Sequence, residues 1–142
     1  MRVLLVISLF FTLASIRSIE GKMDLNALKK SIKGFKPGCI KASGISEELA
    51  DAVTRAELSP DPNLMCYLKC VLQKMKGIKN DKISIDMLIA QTNALVIESI
   101  ATPMIVGINT CAHTTEQEDI CKAAYDYSKC FLDYNSTLCM FP

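Results

Sequence analysis

Seven cysteines, at positions 39, 66, 70, 111, 121, 130 and 139, and a single histidine, His113, carry the most distinctive chemistry in this chain. Thiols can ligate a soft metal or oxidise in pairs to disulfides. Cys66-x3-Cys70 with Cys111-x-His113 has the donor types of a zinc set. The choice depends on compartment, because disulfides persist outside the cytosol and are reduced within it. The first residues point outward. Met1-Arg2 is a short basic start, Val3 to Leu13 is an almost unbroken apolar run, and Ala14, Ser15 and Ser18 supply the small and polar residues of a cleavage zone. That is the layout of a secretory signal peptide, and the run is well short of the ~20 apolar residues a spanning helix needs. Residues 1–18 are therefore read as a signal peptide, cut between Ser15 and Gly21, and residues 19–142 as one exported domain. All the cysteines lie in the exported part, so disulfides are expected rather than a metal, and an odd count leaves one thiol over.

Composition excludes several function classes. Loss of Arg2 and Arg17 takes the 16 basic side chains to 14 against 15 acidic ones, a net charge of about −1. No basic patch remains to follow a phosphate backbone, which argues against a nucleic-acid partner. No other segment is apolar enough for membrane insertion. His113 has no partner acid or nucleophile in a recognisable motif, and Glu116 and Asp119 better suit the positive end of a helix. A small secreted lipase would need a constellation around His113 that cannot be built, so no enzymatic activity and no cofactor are expected. A pH switch would have to rest on His113 or on a carboxylate near the tail such as Asp133. Asn135-Ser136-Thr137 is a glycosylation sequon, although a sugar there would compete with packing of the tail.

Helices position the cysteines. Leu64, Leu68, Val71, Leu72 and Met75 recur at three-and-four spacing among Lys69, Gln73, Lys74 and Lys76, which predicts an amphipathic helix over 63–77. Pro60 and Pro62 break the chain before it, and Gly77 is placed to cap its end. Upstream, Leu25, Leu28, Ile32 and Phe35 form one face of a helix over 23–35 that Pro37-Gly38 should end. Ser46 caps a second helix running to about Leu58, with Glu47 and Glu48 in its first turn. Downstream, a polar connection over 79–82 leads to Ser84, the cap of a short helix with Ile85, Leu88 and Ile89 inward. The apolar stretch 94–111 contains Pro103, which should kink or split it. Thr114 or Thr115 should cap a last helix from Glu116 to about Asp133, followed by the apolar tail Leu138-Cys139-Met140-Phe141-Pro142. No segment of useful length alternates with period two. The fold class is all-α, about six helices in one domain.

Geometry narrows the cysteine pairing without fixing it. Cys121 and Cys130 share a helix but emerge on opposite sides, ~13 Å apart along its axis, so they must reach different partners. Cys66 and Cys70, one turn apart, point the same way, which disfavours their closing on each other. Six cysteines pair in 15 ways, and spacing alone leaves several of these open.

From Cys39 to Cys130 the consecutive gaps are 26, 3, 40, 9 and 8 residues. With the phrases Cys39-Ile40-Lys41-Ala42-Ser43-Gly44-Ile45-Ser46 and Cys66-Tyr67-Leu68-Lys69-Cys70, this resembles the six-cysteine signature of insect odorant-binding proteins, the pheromone and general odorant-binding family. The resemblance covers nearly all of the mature chain. It implies first-to-third, second-to-fifth and fourth-to-sixth connectivity, hence Cys39–Cys70, Cys66–Cys121 and Cys111–Cys130. Each such bridge contributes ~3–4 kcal/mol through loop-closure entropy. Cys139 departs from the pattern and is read as a free thiol under the tail in preference to an intermolecular bond.

The resemblance also implies a central hydrophobic cavity. A stapled shell needs less packing to stay folded and tolerates a hollow centre, and half of this chain is apolar. The inward-facing candidates are Leu49, Val53, Leu68, Leu72, Met75, Met87, Leu88, Ile97, Met104, Ile108, Tyr127 and Phe131. For any one of them taken alone, filling a solid core is the simpler reading. Methionine suits pockets that admit varied guests. Met140 and Phe141 are expected to fold back as a wall or lid. What the resemblance implies overall is a secreted, extracellular carrier of small hydrophobic volatile or fatty ligands, odorants and pheromones, moving them through lymph to olfactory receptors. A non-olfactory carrier of lipophilic molecules is the alternative, and a possible homodimer is left open.

Overall fold

The computed structural model describes residues 21–142; the expected signal peptide lies outside them. Helix α1 (Leu25–Ile32) starts at Asp24, whose carboxylate accepts from the Ala27 amide, and buries Leu28 and Ile32. A 3₁₀ turn (Lys33–Phe35) passes straight into α2 (Lys36–Ser43). Pro37-Gly38 therefore does not end a helix. Pro37 sits in the first turn of α2, where its missing N–H would have had no partner anyway. Helix α2 ends instead at Gly44, in the left-handed region at φ 73°.

Helix α3 (Glu47–Thr54) is capped by Ser46 as its sequence predicts, and stops short of Leu58. Helix α4 (Pro62–Lys74) is capped by Asp61, which accepts from the Leu64 amide. Its exit differs from expectation. Lys76, not Gly77, takes the left-handed conformation at φ 62°. The Lys76 amide then donates to Gln73 and the Gly77 amide to Leu72, closing a Schellman turn. Gly77 is closely approached instead: a Cβ there would lie 2.5 Å from Leu88 Cδ2 and 3.3 Å from the Leu72 carbonyl oxygen, so the Leu88 side chain would have to shift.

The polar connection forms a small antiparallel hairpin, β1 (Ile78–Lys79) with β2 (Lys82–Ile83). Asn80 and Asp81 at its tip have φ of 52° and 55°, the pair of positive values that a type I′ turn needs. Ser84 caps α5 (Ile85–Leu95). The apolar stretch that follows breaks at Val96–Ile97 rather than at Pro103. There Met23 donates to the Leu95 carbonyl at 2.7 Å and accepts from the Ile97 amide at 3.0 Å, tying the chain before α1 into the gap. Pro103 lies within α6 (Glu98–Thr110). Thr114 and Thr115 belong to a 3₁₀ turn (Ala112–Thr115), donating their hydroxyls to the Cys111 and Ala112 carbonyls. The cap of α7 (Ile120–Tyr134) is Asp119, which accepts from the Cys121 and Lys122 amides.

Because α1 and α2 are one broken helix, the described residues form six helical units, joined by three disulfides. Cys39–Cys70 ties α2 to α4, Cys66–Cys121 ties α4 to α7, and Cys111–Cys130 ties the end of α6 to α7. Helices α4 and α7 form the most extensive contact of the fold. Leu64, Tyr67, Leu68 and Val71 of α4 are wholly buried there, as are Ala123 and Ala124 of α7. No helix among the described residues is long and apolar enough to cross a membrane.

The bridges close loops of different length, with separations of 55 residues for Cys66–Cys121, 31 for Cys39–Cys70 and 19 for Cys111–Cys130. Replacing each pair by serine should cost about 4, 3.7 and 3 kcal/mol in that order. Denaturant unfolding of the three double variants measures the ranking.

Candidate functional site

Between α1, the end of α4, α5, α6, α7 and the tail lies a pocket of about 270 Å³, just under the ~300–1,000 Å³ common for small-molecule sites. Its walls are mostly apolar. Helix α1 contributes Leu28 and Ile32 with Phe35 beyond it, α4 contributes Leu72, and Met75 follows. Leu88 of α5, Met104 and Ile108 of α6, and Tyr127 and Phe131 of α7 complete the interior. The Tyr127 and Phe131 rings stack with centroids 6.3 Å apart. The rim is polar and open: Ser31, Lys74 and Lys76 are exposed, and Gln91 is half-buried.

Nine of the sequence candidates thus meet at this pocket: Leu72, Met75, Leu88, Met104, Ile108, Tyr127, Phe131, Met140 and Phe141. Five do not. Val53 and Leu68 are wholly buried in the solid part of the core. Leu49 is half-buried on α3, which forms no part of the wall. Met87 is half-buried beside Leu88, and a rotation of ~100° per residue carries it off the inner face. Ile97 is half-buried at the break before α6, its backbone held by Met23.

Sequence reasoning missed the wall built by Met23, Leu28, Ile32, Phe35, Thr92, Leu95 and Val96. The Leu28, Ile32 and Phe35 stripe was visible as a helix face, but nothing local says which inward stripe faces a void. Met23 carries no signal at all, since its place comes from pairing across the α5–α6 break.

The tail is ordered and buried from Leu138 to Pro142. Met140 and Phe141 are only 8% and 6% exposed and face the pocket. Two contacts hold the segment. The hydroxyl of Tyr67, itself wholly buried, donates to the main-chain oxygen of Pro142. The free thiol of Cys139 is buried beneath it, donating to the Val53 carbonyl at 3.4 Å. Burial, aided by the negative charge of Asp51, pushes the Tyr67 phenol up to about 12. Asp51 is in turn held below the usual carboxylate range by its hydrogen bond and ion pair with Lys36. Asn135 accepts from the Thr137 amide and hydroxyl, capping the 3₁₀ turn (Ser136–Leu138) that leads into the tail.

His113 is exposed, its Nδ1 3.0 Å from the Thr110 carbonyl oxygen, and Asp133 is exposed and paired with Lys129. Neither lines the pocket. Cys66, Cys70 and Cys111 are all consumed in disulfides, the alternative that the sequence favoured over a zinc set.

Tyr67→Phe removes the tail's hydrogen bond and should cost about 1 kcal/mol at neutral pH, with faster amide exchange at Met140 and Phe141. The phenol holds its proton more tightly folded than unfolded. Its stabilisation is therefore complete below pH 10 and lost as the pH rises through about 12. The variant should lack that share of the alkaline decline, as urea unfolding across the range measures.

Comparison with known proteins gives concordant results. The model of the PBP/GOBP family matches residues 21–134. General odorant-binding protein 72 of Anopheles gambiae is 26% identical over 109 residues, covering 76% of this chain and 90% of that protein. General odorant-binding protein 19a of Drosophila melanogaster is 24% identical over 143 residues, covering 98% of this chain and 97% of its own. Among solved structures, Apis mellifera odorant binding protein 5 superposes with a TM-score of 0.75 at 25% identity, over 85% of this chain and 99% of that one. Odorant binding protein 7 from Anopheles gambiae, which has four disulfide bridges and is in complex with an azo compound, does so with a TM-score of 0.67 at 23% identity, over 80% and 89% of the two chains.

Proposed function

The chain belongs to the PBP/GOBP family, and from that premise we propose that it is a secreted carrier that takes small hydrophobic molecules into the pocket described above. The apolar pocket inside a disulfide-braced shell carries this reading. Its interior offers a guest mainly hydrocarbon, sulfur and aromatic surface, and its polar groups are few. Moving an apolar guest from water onto such a surface is favourable at ~25 cal/mol per Å² buried, so no charged clamp is required. Met75, Met104 and Met140 on the wall are unbranched thioethers that adjust to guests of different outline. The relatives named for odorant binding support the same class of cargo.

The remaining parts of the reading follow from the carrier role. Residues 1–18 serve as the export signal, which places the carrier outside the cell. Odorants and pheromones are the proposed guests and olfactory receptors the point of delivery. Met140 and Phe141 act as a movable wall, held by Tyr67 and Cys139. The chemistry on the wall is that of sequestration: it presents no nucleophile with an adjacent base.

Displacement of an apolar fluorescent probe tests the proposal. A panel of small volatile and fatty molecules should displace the probe from fully oxidised protein, and Met75→Trp, which fills the pocket from its rim, should weaken uptake about tenfold or more with little change in unfolding temperature. Probe uptake by neither, or equal uptake by both, would contradict the carrier reading.

A further inference from the structure

All but one of the polar side chains on the pocket wall are paired or lie where water reaches them. The Ser31 hydroxyl donates to the Leu28 carbonyl at 2.7 Å, and the Thr92 hydroxyl to the Leu88 carbonyl at 2.8 Å. Lys74 and Lys76 are exposed, and Gln91 is half-buried at the rim. Tyr127 is the exception. It is 4% exposed and faces the pocket, yet its phenol makes no hydrogen bond with any of the described residues. Nor is its oxygen among the fully occluded, unpartnered side-chain atoms, which are those of Ser59 and Ser128. Tyr127 lines the pocket, and its phenol is the polar group there that no described residue satisfies.

Such a group is costly to leave unsatisfied, and a guest can relieve that cost. We propose that Tyr127 is the polar anchor of the pocket, donating a hydrogen bond to the guest, so that the preferred ligands are apolar molecules bearing an aldehyde, ketone, ester or hydroxyl oxygen. The inference rests on the carrier reading and adds the chemical class of its cargo. Placement supports it. Tyr127 lies between Cys121 and Cys130, both bridged, so its helix is fixed on either side of the anchor. Its ring is stacked on Phe131 at 27°, which limits where the hydroxyl points. Burial raises the phenol well beyond its ordinary value, so it remains a protonated donor across the physiological range. Selectivity follows from asymmetry: a saturated hydrocarbon leaves the phenol unpaired, whereas an oxygenated chain satisfies it.

A matched pair of guests, nonanal and decane, isolates the effect by probe displacement on the wild-type chain and on Tyr127→Phe. The variant should bind nonanal about five- to tenfold more weakly and decane within about twofold of the wild type. In the wild type, nonanal but not decane should shift the tyrosine absorbance to longer wavelength. An equal loss for both guests, no loss for nonanal, or an absorbance change common to both guests would overturn the anchor and leave the carrier reading standing. Failure of the wild type to take up either guest or the probe would overturn both.

Discussion

The bond between Cys66 and Cys121 is the constraint on which the rest of the molecule depends. It joins α4 to α7, the two helices with the most extensive contact, across the longest separation of the three bridges. A further cysteine on each helix extends the brace, Cys70 to α2 and Cys130 to the end of α6. Four helical segments are thereby fixed to one another covalently. A domain of this size would ordinarily fill its centre, since each missing contact costs stability. Cross-links that restrict the unfolded chain offset that loss. The oily void and the bridges are two halves of one arrangement.

Inside that brace, solid core and pocket divide along α4. Leu64, Tyr67, Leu68 and Val71 pack without remainder, while Leu72, at the next turn, reaches the void. Tyr67 lies in the packed half and its hydroxyl is spent on the tail, whereas Tyr127 lines the pocket and its hydroxyl has no partner among the described residues. Two buried tyrosines on adjacent helices therefore differ in setting, one closing the shell and the other lining the pocket.

Much of this was legible in the sequence, for definable reasons. Cysteine spacing survives without knowledge of packing, because helix geometry forbids Cys121 from reaching Cys130, and a resemblance supplied the connectivity. Caps at Ser46 and Ser84 depend only on neighbouring residues and were readable. The misplaced boundaries have tertiary causes. Pro37-Gly38 looks like a stop, but Pro37 suits the first turn of a helix that the Cys39 bridge draws inward. The break at Val96–Ile97 depends on Met23, more than seventy residues away in sequence, which no local pattern can encode. Leu68 and Leu72 share one helical stripe, and only three-dimensional context sends the first into solid core and the second to the void.

The buried, unpaired Cys139 bears on how the molecule comes to exist. Six thiols admit 15 complete pairings, and a seventh raises the number of ways to form three bonds to roughly 105. Its position softens the problem. Once the tail is seated, the sulfur sits against the Val53 carbonyl, shielded from any thiolate that could start an exchange. Closure of the last few residues thus doubles as a latch against rewiring.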